Sequence, residues 1–542
     1  MTIFSMNSLF SKPVFLLLIT LSLSACDKFL NRNEKAETPP AKDLGRPNIL
    51  IAISDDQSYP YASAYGSSTV STPAFDKVAA SGVLFTNAFV SSPGCSPSRA
   101  AFLTGRYPWQ IEEAGTHGSS FPAKYAVFPD LLEESGYFVG FTGKGWSPGD
   151  YEISGRSRNP AGNSFEKFET KPPYDHINNN DYAANFEYFL SQRPKGQPFY
   201  FWYGATEPHR DFEYGIGLKE GKKLTEAEVP GFLPDADTIR NDILDYAVEI
   251  EYFDKHLGRM LNLLDDLGEL ENTIVLVTSD NGMAFPRAKA NLFEYGFHVP
   301  MAVAWPAKIP ANRTIQDIVN LIDITPTILE ATGTSGPKKF PMTGESILPM
   351  LTSGESGLID SSRVTYSARE RHSSSRFQNL TYPQRALRTQ KYLYIRNFKP
   401  ERWPAGAPQK YDSAEVLGPE FGGYHDIDAS PSLDYLIAHQ NDPQVGPYFH
   451  QAVNHRPAEE LYDIQEDPSC IVNLAKAPDY QEILMEMRAQ LGGFLMKTED
   501  PRVTGQGDIW ESYPRLRGSI RRFPVPEWAQ EKNVSEDQIR LQ

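Results

Sequence analysis

Cysteine is scarce in this sequence, which has only three cysteines among 542 residues: Cys26, Cys95 and Cys470. A small scaffold held together by disulfides is therefore excluded. Lys and Arg are also in deficit, with 52 of them against 69 Asp and Glu and a formal net charge of −17. This balance excludes the broad basic surface that a nucleic-acid partner requires, so an anionic ligand would need a locally basic pocket.

Hydrophobic runs long enough to span a bilayer are missing as well. The run near the N-terminus, PVFLLLITLSLSA, is too short for a membrane span but suits a signal peptide. It ends in Leu23-Ser24-Ala25-Cys26, which resembles a bacterial lipoprotein box with Cys26 as the lipidated residue; a plain signal peptide is the alternative. We predict a signal peptide and lipobox over residues 1–26 and a flexible tether over 27–46. The chain would be exported, facing the periplasm or the cell surface, and held to the membrane only by its lipid.

Strands and amphipathic helices alternate along residues 47–352. Ile49–Ile53 is a continuous apolar run typical of a buried strand in a parallel sheet, and Ile274–Val277 repeats the pattern. Apolar residues from Tyr246 to Leu264 fall on one helical face, and Gly268 is predicted to end this helix. The predicted fold is α/β: a large N-terminal domain with a mainly parallel mixed sheet between helices, then a smaller α+β domain with an antiparallel sheet over 353–542.

Acidic turns follow both predicted strands. Asp55-Asp56 and Asp280-Asn281 lie at strand ends, where open parallel sheets bind their ligands. Their oxygens are the hard donors that Ca²⁺ or Mg²⁺ prefers. Either pair alone is more often a helix cap or an Asx-turn. Their joint occurrence with Cys95 favours a metal site.

Cys95 lies in the segment SSPGCSPSRAAFLTGR, at the start of a predicted helix. Cys95, Pro97 and Arg99 form a Cys-x-Pro-x-Arg pattern that resembles the signature of the type I sulfatases, in which a maturase oxidises the cysteine to formylglycine (3-oxoalanine). The segments ILIAISDD, TSDNG, KANLFEYGFHVP and ELYDIQEDPSCIVNLA resemble further parts of that family. The resemblance implies an alkaline-phosphatase-like fold, sulfuric ester hydrolysis and one Ca²⁺ per site in preference to Mg²⁺. It also implies two partners, a formylglycine-generating maturase and a sulfated carbohydrate.

The chemistry of that family explains why it uses a formylglycine. One hydroxyl of the hydrated aldehyde attacks sulfur and forms a covalent sulfate ester. The other hydroxyl, on losing its proton, lets this sulfate ester collapse to the aldehyde and expel sulfate. A helix N-terminus at residue 95 would offer free N–H groups to the anion, and a metal would polarise its oxygens.

The resemblance also implies a role for individual residues. The implied metal ligands are Asp55, Asp56, Asp280, Asn281 and the converted Cys95. Arg99 would hold the formylglycine diol, and Lys144 and Lys289 would bind the sulfate. His209 would assist protonation of the leaving group.

One position departs from the family pattern. Many members have a His two residues after the lysine that Lys144 matches, whereas this chain has Trp146. That histidine is usually assigned to deprotonate the diol. His117, in EEAGTHGSS, is the candidate replacement, with a structural histidine as the equal alternative.

The substrate is less well determined. The chain most resembles the branch that contains heparan N-sulfatase, through TSDNGMAFPRAKANLF and EPHRD, although Lys289 stands where that branch has Arg. Arg371 and His372 either bind a uronate or second sulfate, or belong to a solvated loop. We predict a sulfatase of a sulfated oligo- or polysaccharide such as ulvan or carrageenan. The alternatives are an N-sulfoglucosamine sulfohydrolase, a phosphate or phosphonate diesterase, and a lipoprotein that binds sulfated glycans without cleaving them.

Overall fold

This computed structural model describes residues 45–530, and its first strand is fully buried. All seven residues of Asn48–Ser54 are buried, because the sheet is covered on both faces. Within the described residues the larger sheet has nine strands: β1 (Asn48–Ser54), β2 (Val83–Phe89), β3 (Phe138–Gly143), β4 (Asn163–Ser164), β5 (Phe199–Gly204), β6 (Thr273–Ser279), β7 (His298–Ala304), β8 (Arg313–Ile315) and β9 (Val319–Asn320).

The strand order of this sheet is β4-β3-β5-β1-β6-β7-β2-β8, with β9 also paired to β2. Strands β4, β3, β5, β1 and β6 run parallel to one another, and β7 is antiparallel to both β6 and β2. The mainly parallel mixed sheet predicted from the sequence is therefore confirmed. Its consequence for function is that the carboxyl ends of β3, β5, β1 and β6 lie side by side at one edge.

The described helices pack around the two sheets of the molecule. They are α1 (Pro73–Ala80), α2 (Cys95–Thr104), α3 (Phe128–Glu134), α4 (Tyr182–Gln192), α5 (Ile216–Lys219), α6 (Asp237–Asp266), α7 (Glu294–Phe297), α8 (Ile324–Thr332), α9 (Leu348–Thr352), α10 (Pro431–Ala438), α11 (Gly446–Val453), α12 (Gln481–Lys497), α13 (Pro501–Thr504), α14 (Ile509–Ser512) and α15 (Glu527–Gln530). The long helix α6 buries Phe253, Leu257 and Leu261 against Leu50 of the sheet. It ends one residue before Leu267, and Gly268 follows in the left-handed region with φ +67°, as predicted.

A second sheet follows in the C-terminal part. Strands β10 (Thr365–Arg369), β11 (Gln384–Arg388), β12 (Tyr392–Asn397) and β13 (Glu459–Asp463) form it in that order, with every pair antiparallel. This agrees with the predicted antiparallel sheet. From Arg46 to the end of the described residues the chain forms one compact unit, so the predicted boundary after residue 352 stays a prediction.

The predicted signal peptide, the lipidated Cys26 and most of the tether lie outside the described residues. Arg46, the last residue of the predicted tether, is fixed in the structure because its guanidinium donates hydrogen bonds to the carbonyls of Ser135 (2.6 Å) and Thr332 (3.1 Å). None of the helices within residues 45–530 is both long enough and apolar enough to cross a membrane.

Candidate active site

Six of the predicted site residues, Asp55, Asp56, Lys144, His209, Asp280 and Asn281, follow the ends of four neighbouring strands. Ser54 of β1 pairs with Ser279 of β6, so the turns that follow these strands start side by side. Lys144 directly follows β3, and His209 lies five residues beyond the end of β5. The sheet order β3-β5-β1-β6 therefore brings together segments that are far apart in the sequence.

The acidic turns form a buried cluster. Asp55, Asp56 and Asp280 are at most 1% exposed, and each offers one carboxylate oxygen within 4.8 Å of the others. The Asn281 amide donates to Asp56 Oδ1 at 2.6 Å. Within the described residues, Asp55 Oδ1 and Asn281 Oδ1 are buried without a hydrogen-bond partner. Buried oxygens of this kind are costly unless a ligand satisfies them, so the cluster fits a hard divalent cation.

Electrostatic interactions within the cluster shift the pKa values of its carboxyl groups. Burial, with a contribution from the nearby Asp55 charge, raises the pKa of Asp280 to about 6, although Arg99 opposes the shift. Burial would raise the pKa of Asp55 too, but the ammonium of Lys144 and the neighbouring cations outweigh it and hold that pKa well below its usual range. Carboxylates packed this closely repel one another, which a divalent cation would relieve.

Cys95 begins helix α2 beside this cluster. Its side chain is 1% exposed, and its Sγ lies within 4.8 Å of ligand atoms of Asp55 and His209. Cys95 and Cys470 are free, buried thiols. Burial and the Asp55 charge raise the pKa of the Cys95 thiol well above its ordinary value, so the unmodified side chain is neutral at pH 7.

Three buried cations balance the acids. Arg99 Nε donates to Asp280 Oδ2 at 2.7 Å and its Nη1 donates to the Lys144 carbonyl at 2.5 Å. The Lys144 ammonium contacts Asp55. Lys289 Nζ lies 2.6 Å from Asp56 Oδ2, and 3.2 Å from an oxygen of Asp428, which the sequence did not single out. Burial would lower the pKa of both lysines, but the facing carboxylates outweigh it and keep each an ammonium.

A cavity of about 210 Å³ opens onto Cys95. Of the predicted residues, those that line it are Cys95, His117, Lys144, His209, Lys289 and His372. His209 side-chain exposure is 37%, and its Nδ1 lies 2.6 Å from the carbonyl of Arg210. Because a carbonyl only accepts, Nδ1 carries a proton, and Nε2 is the nitrogen that can exchange one.

His117 and His372 form a pair of rings in the cavity wall, with centroids 4.5 Å apart. His117 Nδ1 is buried without a hydrogen-bond partner among the described residues. Burial and the adjacent His372 lower the pKa of His117 well below 6.5, and burial lowers that of His372 to about 3. Both rings are therefore neutral at pH 7.

Arg371 does not line this cavity. It is 2% exposed, and its Nη1 donates to the carbonyl of Tyr513 at 2.8 Å. His372 is 8% exposed, so the alternative of a solvated loop at these two positions is wrong. The neighbouring Arg369 and Arg376 both bind Asp426, which holds the loop inside the molecule.

Trp146, at the position where the family pattern has His, has a packing role. Its side chain is 1% exposed, its Nε1 donates to the Ser96 carbonyl at 3.0 Å, and its ring meets Phe121 edge-on at 5.2 Å. Trp146 thus contacts the first turn of α2 and does not line the cavity.

Comparison with known proteins agrees with this geometry. The family model described as Sulfatase matches residues 47–334, which is more than half of the chain. The chain belongs to the sulfatase family. A second model, described as N-sulphoglucosamine sulphohydrolase, C-terminal, matches residues 287–406 of this sulfatase-family chain. Membership of the family makes the chain a sulfuric ester hydrolase.

Similar proteins include sulfatases of different substrates. An ulvan-active sulfatase of Formosa agariphila is 28% identical over 481 residues, covering 84% of this chain and 76% of that protein. Human N-sulphoglucosamine sulphohydrolase is 26% identical over 513 residues, covering 86% and 93%. A solved structure in complex with its substrate D-glucosamine-2-N,6-O-disulfate has a TM-score of 0.58 and 20% identity, covering 84% and 99%. The structural likeness shows that the sulfatase-family fold is shared.

Proposed function

We propose that this protein removes sulfate esters from a sulfated polysaccharide through a formylglycine made from Cys95. The observation that carries the proposal is the position of Cys95, buried at the start of α2 beside Asp55, in a cavity that Lys144 and Lys289 also line. A neutral, buried thiol has little nucleophilic character of its own. Conversion to an aldehyde diol would supply the nucleophilic hydroxyl and the means of releasing sulfate.

The acidic cluster would hold the metal. We propose Ca²⁺, with Asp55, Asp56, Asp280, Asn281 and converted Cys95 as its ligands; when bound, it would polarise the sulfate oxygens. Lys144 and Lys289 line the cavity and orient the sulfate through their ammonium groups. Arg99 is too deeply buried to approach a saccharide, and its hydrogen bonds to Asp280 and the Lys144 carbonyl fix both elements in place.

Two histidines could move protons in the cavity. The His209 side chain is partly exposed and lines the cavity, and in the protonated ring its Nε2 would donate a proton to the departing sugar oxygen. His117 is neutral and has an unpartnered Nδ1, which suits a proton acceptor for the diol. We propose that it replaces the histidine missing at Trp146.

Two substrate classes have specific support. The ulvan-active sulfatase relative favours an O-sulfated algal polysaccharide. The match to the N-sulphoglucosamine sulphohydrolase C-terminal model and the human relative favour an N-sulfated glucosamine. We propose the O-sulfated polysaccharide first, because Lys289 binds oxygens as a point charge where the N-sulfatase branch has a planar Arg.

The proposal also includes the location of the protein and its maturation. Export, lipidation of Cys26 and attachment to the membrane through that lipid rest on the sequence of residues 1–26, and a formylglycine-generating maturase on the pattern around Cys95. Metabolic labelling with a palmitate analogue tests the anchor, with Cys26→Ala as the matched variant. Loss of label in the variant is expected, and equal labelling would contradict it.

Sulfate release by the matured enzyme tests the function. The substrates are O-sulfated oligosaccharides from ulvan and carrageenan, N-sulfoglucosamine, and an aryl phosphate diester. We expect release from an algal O-sulfate and none from the Cys95→Ala variant. Release from N-sulfoglucosamine alone would favour the second candidate. Glycan binding without any sulfate release by fully converted protein would overturn both.

A further inference from the structure

The wall of the Cys95 cavity contains two arginines that the family signature does not include. Arg515 and Arg521 line it together with Cys95 and Lys289. They belong to the segment 513–523, here called the C-terminal strap, which main-chain hydrogen bonds hold against the cavity. Leu516 N donates to the Gly118 carbonyl at 2.6 Å, and Arg521 N donates to Ser374 Oγ at 2.9 Å.

The two arginines differ from the two lysines of this wall, because the lysines have carboxylate partners in the described part of the chain and the arginines do not. Lys144 faces Asp55, and Lys289 faces Asp56 and Asp428. Within residues 45–530, by contrast, neither strap guanidinium has a carboxylate within ion-pair distance. Arg515 Nη1 donates to the His372 carbonyl at 2.8 Å, and Arg521 Nη1 to the Ser374 carbonyl at 3.1 Å.

Two further observations point to a missing ligand. Arg515 Nε is buried without a hydrogen-bond partner in the described part of the chain. The carboxylate that acts electrostatically on both arginines, Asp426, is already bound by Arg369 at 2.7 Å and Arg376 at 2.5 Å. A partly buried pair of positive charges without a counter-ion attracts an anion.

Resting on the proposed sulfatase function, we propose that Arg515 and Arg521 bind a second anionic group of the saccharide, beside the sulfate that is hydrolysed at residue 95. The chemistry is that of an oxyanion held by guanidinium forks, either a uronate carboxylate or a second sulfate. The strap would thereby select substrates with two negative charges. Arg515 and Arg521 would thus have the role that the sequence predicted for Arg371, whose guanidinium instead donates to the Tyr513 carbonyl.

The test compares Arg515→Gln and Arg521→Gln with wild type on three sulfated disaccharides. One has a uronate neighbour, the second is its carboxyl-reduced analogue, and the third has a second sulfate on a neutral neighbour. The matched control is Arg522→Gln, because Arg522 is exposed and pairs with the equally exposed Glu415. Arg521→Lys keeps the charge without the fork, and thermal unfolding monitors the fold of every variant.

We expect kcat/KM to fall by about 10- to 100-fold on at least one dianionic substrate and by less than about 3-fold on the carboxyl-reduced analogue. The dianionic substrate that loses rate identifies the anion as carboxylate or sulfate, and Arg522→Gln should match wild type on all three. An equal loss on all three substrates, or no loss on any, would overturn the subsite. Absence of sulfate release by matured wild-type protein from all three would overturn the proposed function itself.

Discussion

Replacing Trp146 with the histidine of the family pattern should weaken the protein without restoring a catalytic group. The indole is 1% exposed, packs on Phe121 and donates a hydrogen bond to the Ser96 carbonyl. Trp146→His removes much of a large buried ring, which we expect to lower the free energy of unfolding by about 3 kcal/mol. Trp146→Phe keeps most of the ring and loses the N–H donor, at a cost of about 1 kcal/mol.

Urea unfolding of the two variants measures these differences, and sulfate release per converted molecule measures catalysis. Because position 146 is absent from the cavity lining, Trp146→His should not exceed wild-type kcat/KM and should add no new ionisation to its pH–rate profile. A variant as stable as wild type, with faster release and a new pKa near 6.5, would refute this assignment of Trp146 to packing.

Three further predictions concern the metal, a proton acceptor and the ion pair between Glu294 of α7 and Arg388 of β11. Adding Ca²⁺ to chelator-treated protein should raise the thermal midpoint, and Asn281→Ala should need more than about 10-fold higher Ca²⁺ for the same shift; a midpoint independent of Ca²⁺ would contradict the metal site. His117→Asn should lower kcat by about 100-fold with little change in KM in steady-state assays, whereas an unchanged kcat would make it structural. Burial would raise the pKa of Glu294, but Arg388 and His298 outweigh it and lower it to about 2, so its stabilisation is present above pH 4.5 and lost towards pH 2. Glu294→Gln should therefore cost about 3 kcal/mol in urea unfolding at pH 7 and progressively less below pH 4.5, and a cost independent of pH would contradict this linkage.

The parts of the site that follow strand ends were predictable from the sequence. The apolar runs of β1 and β6 fix two strands, and the carboxyl ends of parallel strands meet at one edge, so Asp55 and Asp280 had to be close. Cys95 was predictable because its neighbours form a specific short pattern at a helix start. In both cases local sequence determines the position of the side chain.

The cavity wall was not predictable in this way. Arg515, Arg521 and Asp428 lie in loops far along the chain, and no periodicity or short pattern indicates where such loops pack. The burial of Arg371 was not predictable either. Its polar surroundings indicate a surface, whereas the contacts of its neighbours with Asp426 bury the loop and turn its side chain away from the cavity.

Catalysis by the proposed mechanism depends on formylglycine at residue 95. The most direct test of this dependence is mass spectrometry of the peptide that contains residue 95, on samples coexpressed with graded amounts of a maturase and assayed for sulfate release. Activity should rise in proportion to the converted fraction and extrapolate to zero for the unconverted thiol. Full activity in protein whose Cys95 is entirely unmodified would contradict this dependence.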